Sequence, residues 1–192
     1  MLAMLFLLPQ DEKYSVDFDE LVDRYERRIF NLIYRIIGDF DEAADLTQDT
    51  FVAAYRAFDN FRADSTTYTW LYRIAVNVCK NRFRERSRQR GVEALSLDDQ
   101  EMCFIEHVTD GGLSEPIPTP EKALEREEMR RLVEEAITDL PEDYRIVAVL
   151  RDIHGLTYRE IAEAVDLSID VVKTRLARAR GMLRRRLQHY LG

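Results

Sequence analysis

Apolar residues recur at steps of three and four from Phe18 onward: Phe18, Leu21, Val22, Tyr25, Ile29, Leu32, Ile33 and Ile36. That is the period of one face of an α-helix, so the segment predicts an amphipathic helix lying on a core. Gly38 supplies its stop, because glycine readily takes the left-handed conformation that closes helices. After a turn at Asp39-Phe40-Asp41, the residues Ala43, Leu46, Thr47, Phe51, Ala54 and Tyr55 mark a second helix running to about Phe58. Residues 59–65 are rich in turn formers, and from Tyr68 the helical period resumes through Leu71, Ile74, Ala75 and Val78. Three or more packed helices are expected over residues 18–90, behind a leader at 1–17.

Residues 91–119 break the pattern: Gly111-Gly112, Pro116 and Pro118 occur with no sustained period, which reads as a flexible linker. Thr119-Pro120-Glu121 then sets a capping residue before a proline at the first helical position, so a new helix starts there and runs to about Asp139. Pro141 opens the next, and Gly155 ends it. Thr157-Tyr158-Arg159-Glu160 has the form of a capping box before a short helix carrying Ile161, Ala162 and Val165. Asp166-Leu167 turns the chain, Ser168 caps, and a last helix runs almost to the end. The fold class expected is all-α: two small helical domains, with the second spanning residues 120–192 and containing a helix-turn-helix.

Charge changes the picture. The net charge of -8 argues by itself against nucleic acid, whose binding depends on Lys and Arg displacing counterions. The charge is segregated, however. Arg73 to Arg90 holds seven basic residues against Glu85 alone, and Val171 to the end holds seven basic and no acidic residues. Between them, Gly91 to Lys122 carries eight acids and one base. Two basic blocks separated by an acidic one suggest two nucleic-acid contacts joined by a segment that avoids or imitates nucleic acid.

Other chemistries find little support. Cys79 and Cys103 form no CxxC pair, which points to a reducing cytoplasm and not to a disulfide-stapled fold. Cys103 and His107 stand four apart but lack the companions a zinc site needs. Met1 to Leu8 is apolar, yet it is far shorter than a membrane span and lacks the parts of a signal peptide, so no membrane insertion is expected. His107, His154 and His189 are isolated, and no nucleophile, metal cluster or glycine-rich phosphate loop emerges. Asp41, Glu42, Asp45 and Asp49 are the one dense acidic set. At helical spacing and without a histidine they read as a partner-binding face and not as a nuclease centre. Neither an enzyme nor a cofactor is expected.

The two basic blocks have distinct characters. In the last helix Val172, Leu176, Ala179, Leu183 and Leu187 form one apolar stripe, so Asp170, Lys173, Thr174, Ala177, Arg178 and Gly181 must lie opposite. A capped short helix, a tight turn and this basic helix match the arrangement whose second helix enters the major groove. In the first block Phe58, Phe61, Tyr68, Trp70 and Tyr72 stand beside cations, the combination on which unpaired bases stack while phosphates meet Lys and Arg.

Three segments carry a resemblance. Asp45-Leu46-Thr47-Gln48-Asp49-Thr50-Phe51, Thr69-Trp70-Leu71-Tyr72-Arg73-Ile74-Ala75-Val76-Asn77 and Val172-Lys173-Thr174-Arg175-Leu176-Ala177-Arg178-Ala179-Arg180 occur in this order. Together they resemble the extracytoplasmic-function (ECF) sigma factors of bacterial RNA polymerase, over about residues 18–90 and 120–189. The resemblance implies an alternative sigma factor, of the kind used in stress responses, that binds core polymerase through the beta-prime clamp helices and the beta flap. It also implies promoter DNA and an anti-sigma factor as partners. Asp45, Gln48, Asp49 and Phe51 would meet the polymerase. Phe61, Arg62, Asp64, Ser65, Thr66 and Thr67 would capture a flipped base of the minus-ten element, with Trp70, Arg73, Asn77, Lys80 and Asn81 on the helix behind. Ser168, Lys173, Thr174, Arg175, Ala177 and Arg178 would meet the minus-thirty-five element. Two departures stand out: Asp170-Val171 replaces a common Gly-Thr, and Leu71 stands where housekeeping members carry a second tryptophan. The competing expectation is a stand-alone helix-turn-helix regulator, which would have no need of the first domain.

Overall fold

The computed structural model describes residues 18–58, 67–92, 120–188 and 190. The expected leader and most of the expected acidic linker lie outside the described residues. Seven α-helices follow one another: α1 (Phe18–Ile37), α2 (Phe40–Ala57), α3 (Thr67–Val92), α4 (Pro120–Thr138), α5 (Glu142–Ala148), α6 (Tyr158–Val165) and α7 (Ile169–Leu187). Among the described residues there is no strand.

Local chemistry places the helix ends. Gly38, at φ +86°, closes α1 and donates its amide to the Tyr34 carbonyl at 2.7 Å. Asp39 caps α2 by accepting the Glu42 amide at 2.8 Å, which draws Phe40 out of the expected turn and into the helix. Thr47 and Thr50 are buried in α2, but their hydroxyls donate to the carbonyls of Ala43 and Leu46 at 2.7 Å, so neither polar group is left unpaired. The capping box of α6 forms as its spelling predicts. The Thr157 hydroxyl accepts the Glu160 amide at 3.3 Å and the Glu160 carboxylate accepts the Thr157 amide at 2.7 Å. Asp166, at φ 57°, makes the turn, and Ser168 caps α7.

One feature has no counterpart in the apolar pattern. The segment between Pro141 and Gly155 reads as one helix, but α5 gives way to a π-helical stretch, Val149–Ile153. A residue inserted into a helical turn rotates everything after it by about 100°. His154, next in line, meets α3: the Tyr72 hydroxyl lies 2.8 Å from its Nδ1, and the Tyr68 hydroxyl donates to its carbonyl at 3.1 Å.

These bonds belong to an extensive seam between the two helical units. Ile29, Leu32, Ile33 and Ile36 of α1, with Leu71, Ala75 and Cys79 of α3, share one continuous core with Ile146, Leu150, Ile161 and Val165 of the second unit. Charged side chains fasten its edges. Arg145 donates to the Ile36 carbonyl at 2.6 Å and to the Leu140 carbonyl at 3.0 Å, and also reaches the Thr138 carbonyl. Arg35 pairs with Glu134 at 3.5 Å. A smaller core of Leu140, Ala148, Leu176 and Ala179 joins α5 to α7.

His154 is held neutral in this seam. Burial and, secondarily, the positive charges of Arg35 and Arg28 on α1 lower its pKa from 6.5 to about 4. The unfolded chain therefore binds a proton between those values that the folded chain refuses. The contribution is fully present above pH 6.5 and is lost as pH falls toward 4, by about 3 kcal/mol in all. We expect His154→Asn, whose amide can still meet Tyr72 but cannot titrate, to lose correspondingly less stability than the wild type between pH 7 and 4. Denaturant unfolding at a series of pH values measures this, and parallel curves for the two proteins would refute it.

Candidate nucleic-acid interface

Helix α3 is buried along most of its length, so only part of its basic character reaches solvent. Arg73, Asn77, Asn81, Arg84 and Arg88 are exposed and follow one another at steps of four, four, three and four, the spacing of a single stripe. Within it Arg84 donates to the Asn81 side chain at 3.0 Å. Arg73, Asn77 and Asn81 were expected here. Arg84 and Arg88 extend the stripe, and the helical steps of three and then four from Asn81 would have found them. Arg82 and Arg86 turn the other way, where both pair with Glu42 of α2. Glu42 thus ties α2 to α3, while Asp45 and Asp49 of the same acidic set are exposed.

Several expected contacts are placed differently. Phe61, Arg62, Asp64, Ser65 and Thr66 lie outside the described residues, and Thr67 opens α3 half-buried. Trp70 is 6% exposed and packs near Phe58, so its ring is part of the core and offers no face to a base. Lys80 donates its ammonium to the Val165 carbonyl at 2.8 Å, at the C-terminal end of α6, where the helix dipole favours a cation. Burial lowers its pKa. In this arrangement the second unit, and not DNA, satisfies Lys80.

Phe51 also departs from expectation. Its ring is buried in the core, because the α2 residues Ala43, Leu46, Thr47, Thr50, Phe51 and Ala54 all turn inward at helical spacing. The face α2 shows to solvent carries Asp45, Gln48, Asp49, Val52 and Tyr55, the last 66% exposed with its ring against Phe18. Val52 and Tyr55 are therefore the apolar groups of that face, and Tyr55, which the sequence pattern places in the inward apolar period, turns outward instead.

In the second unit Val172, Leu176 and Ala179 are buried and Leu183 packs against them, as the stripe predicts. Lys173, Thr174, Ala177 and Arg178 are exposed on the other side. Ser168 accepts the Val171 amide at 3.4 Å, so its hydroxyl serves the turn. Arg175 is half-buried and pairs with Asp143 of α5 at 2.9 Å. It braces α7 against α5 in place of facing outward. Thr174 turns its hydroxyl back onto the Asp170 carbonyl at 2.8 Å. No group of three His, Cys, Asp or Glu side chains that could hold a metal ion occurs among the described residues. No helix among them is long and apolar enough to cross a membrane.

A helix-turn-helix with a basic second helix, joined to a second helical unit bearing its own basic stripe, has the form of a two-part DNA-binding protein. The sequence pattern of sigma-70 region 2 matches residues 21–89, and that of sigma-70 region 4 matches residues 130–183. The chain is 39% identical over 91% of its length to the RNA polymerase sigma-H factor of Pseudomonas aeruginosa, covering 88% of that protein. It is 38% identical over 89% of its length to the ECF RNA polymerase sigma-E factor of Escherichia coli K12, covering 86% of it. Solved structures share the fold. The sigma factor RpoE of Bartonella quintana, in complex with the anti-sigma factor NepR, matches with a TM-score of 0.69 at 22% identity, over 90% of this chain and 97% of that one. CnrH in complex with the cytosolic domain of CnrY matches with 0.61 at 26% identity, over 90% and 88%. The chain belongs to the ECF sigma factors: it is an alternative sigma factor that binds core RNA polymerase and promoter DNA to initiate transcription.

The burial of Phe51 and the exposure of Tyr55 make separable predictions. Phe51→Ala should cost about 3 kcal/mol or more of stability, the usual loss when a buried ring is removed. Tyr55→Ala should cost well under half of that. Chemical denaturation of the two variants checks the order, and equal losses would show that the helix faces are wrongly assigned.

Proposed function

We propose that the three surfaces divide the work of initiation. The outward face of α2, with Asp45, Gln48, Asp49, Val52 and Tyr55, meets the beta-prime clamp helices, combining charge with an aromatic anchor as interface centres do. The α3 stripe of Arg73, Asn77 and Asn81, with Arg84 and Arg88 behind, follows the upstream part of the minus-ten element. The segment at residues 61–67 takes up a flipped base of the opened strand. Lys173, Thr174, Ala177 and Arg178 of α7 meet the minus-thirty-five element, and the second unit as a whole docks on the beta flap. The observation that carries this division is the exposed face of α7, whose opposite side is sealed in the core. No step needs a bond broken by this chain, so the protein acts by binding and not as an enzyme. Its place is the cytoplasm, beside the polymerase and the DNA. As the sigma factor RpoE of Bartonella quintana is bound to the anti-sigma factor NepR, we also assign this chain an anti-sigma factor.

Such a division requires the chain to open. The two promoter elements lie some 25 base pairs apart by their names, which is roughly 85 Å of B-form DNA. Helices α3 and α6 are in direct contact, and Lys80 is bonded to α6. Both elements cannot be reached at once until that seam parts. Residues 93–119 connect the two units, and a chain of that length reaches roughly 90 Å when extended.

Two outcomes follow. Asp49→Lys should weaken the complex with core polymerase about ten-fold or more, because it reverses an exposed charge at an interface. Pull-down of core enzyme that is undiminished, with the circular dichroism spectrum of the variant unchanged, would remove α2 from the interface. Replacing Arg62-Ala63-Asp64-Ser65 by glycine and serine should lower transcription from a closed promoter by a factor of about ten or more, through loss of part of the few kcal/mol needed to unstack a base. A template with a pre-melted bubble should recover much of that loss. Equal losses on the two templates would mean that the segment does not act in strand opening.

A further inference from the structure

The cations along the first three turns of α7 are not equivalent. Lys173 pairs with Asp170 at 3.4 Å, Arg175 with Asp143 at 2.9 Å, and Arg180 makes a two-pronged pair with Asp152 in the π-helical stretch. Each of these charges is answered by a carboxylate. Among the described residues Arg178 has no carboxylate within ion-pair distance. Its Nη1 instead donates to the hydroxyl of Tyr144 at 3.5 Å, a neutral partner on α5.

Tyr144 is well placed to hold that guanidinium still. Its amide donates to the Pro141 carbonyl at 2.9 Å in the first turn of α5, and its ring packs on the small core of Leu140, Ala148, Leu176 and Ala179. A tyrosine has two side-chain torsions, and a ring seated in a core uses both, so its hydroxyl becomes a fixed point at the surface. An arginine by contrast carries about 2 kcal/mol of rotamer entropy. Two open grooves, of about 560 and 600 Å³, lie over this region. Tyr144, Thr174 and Arg178 line both.

We propose that Tyr144 is a specificity-determining residue for the minus-thirty-five element, acting by positioning Arg178; this rests on the assignment of the exposed α7 face to that element. The guanidinium has five donors, and one spent on a phenol leaves enough for a two-pronged contact with the O6 and N7 of a guanine. Because the partner is neutral, the positive charge stays available to DNA. Lys173 and Arg175 must give up a carboxylate before they contact DNA, and Arg178 has none to give up. Its direction is set before DNA arrives, which confines it to one base pair.

The test uses the full chain with core RNA polymerase and a promoter library randomised at the minus-thirty-five element, comparing wild type, Tyr144→Phe, Arg178→Ala and the double variant. Arg178→Ala should abolish the preference at one base pair. Tyr144→Phe keeps the packed ring and should reduce the preference at that same base pair roughly two- to ten-fold, the worth of one hydrogen bond, with every other position unchanged. The double variant should match Arg178→Ala, since Tyr144 acts through that side chain. If Tyr144→Phe selects the wild-type motif while Arg178→Ala does not, Tyr144 is a packing residue and the proposal is overturned. If the double variant also loses preference at a second base pair, Tyr144 reads DNA itself and the positioning role is wrong. If Arg178→Ala selects the wild-type motif, the assignment of the α7 face fails first, and the role of Tyr144 falls with it.

Discussion

Helix α3 has two neighbours to satisfy at once, and most of what this protein presents to its surroundings follows from that. Toward the first unit it contributes Trp70, Leu71, Ala75 and Cys79 to the core. Toward the second it offers Tyr68, Tyr72 and Lys80 as hydrogen-bond donors or partners. What remains exposed is a narrow stripe at Arg73, Asn77 and Asn81 that widens from Arg84 to Gln89. A basic helix of this length would otherwise be an undirected cationic rod; burial on two sides leaves it with a defined solvent-facing edge. Cys79 illustrates the depth of that burial, which pushes its thiol pKa up to about 12 and leaves it without thiolate reactivity at neutral pH.

The seam between the two units is more polar than an ordinary core. A neutral histidine, two tyrosine hydroxyls, a lysine and an arginine all lie within it or at its margin, and most of their bonds end on backbone carbonyls. Arg145 is the most committed of these. Burial lowers its pKa, and its guanidinium gathers carbonyls from the ends of α1 and α4. Bonds of this kind close helix ends that would otherwise need water. Because water can replace them, such a seam can open at less cost than a purely apolar one of the same area, where every separated surface would have to be hydrated without compensation. Polar fastening suits the opening that we propose for promoter binding.

Charge on α7 is sorted by the same logic of neighbours. The helix carries seven basic residues counted to the end of the chain, yet its surface is not uniformly basic. Four carboxylates, Asp139 after α4, Asp143 on α5, Asp152 on the π-helical stretch and Asp170 on α7 itself, each answer one cation. Exposed ion pairs of this sort contribute little to stability, but they decide which positive charges are directed and which are diverted.

Much was legible in the amino-acid sequence because it depends on local rules. The ends of α1, α2, α6 and α7 follow from Gly38, Asp39, the Thr157–Glu160 capping box and Ser168, all of which act within four residues. The buried stripe of α7 follows from period alone, as does the exposure of Lys173 and Arg178. The family could be read from three short segments in order. The tertiary structure decided the rest, since it depends on residues distant in the chain. Phe51 and Trp70 look like anchors in sequence because aromatic residues serve cores and interfaces equally, and only packing against α1 and α3 assigns them to the core. Arg175 and Arg178 are three residues apart and chemically identical. One is diverted and the other presented because Asp143 and Tyr144, more than thirty positions earlier, happen to stand beside them. Nor does any periodicity announce the π-helical turn that carries His154 to Tyr72: a one-residue insertion leaves the apolar pattern nearly intact, and it is the fit between two helical units that reveals it.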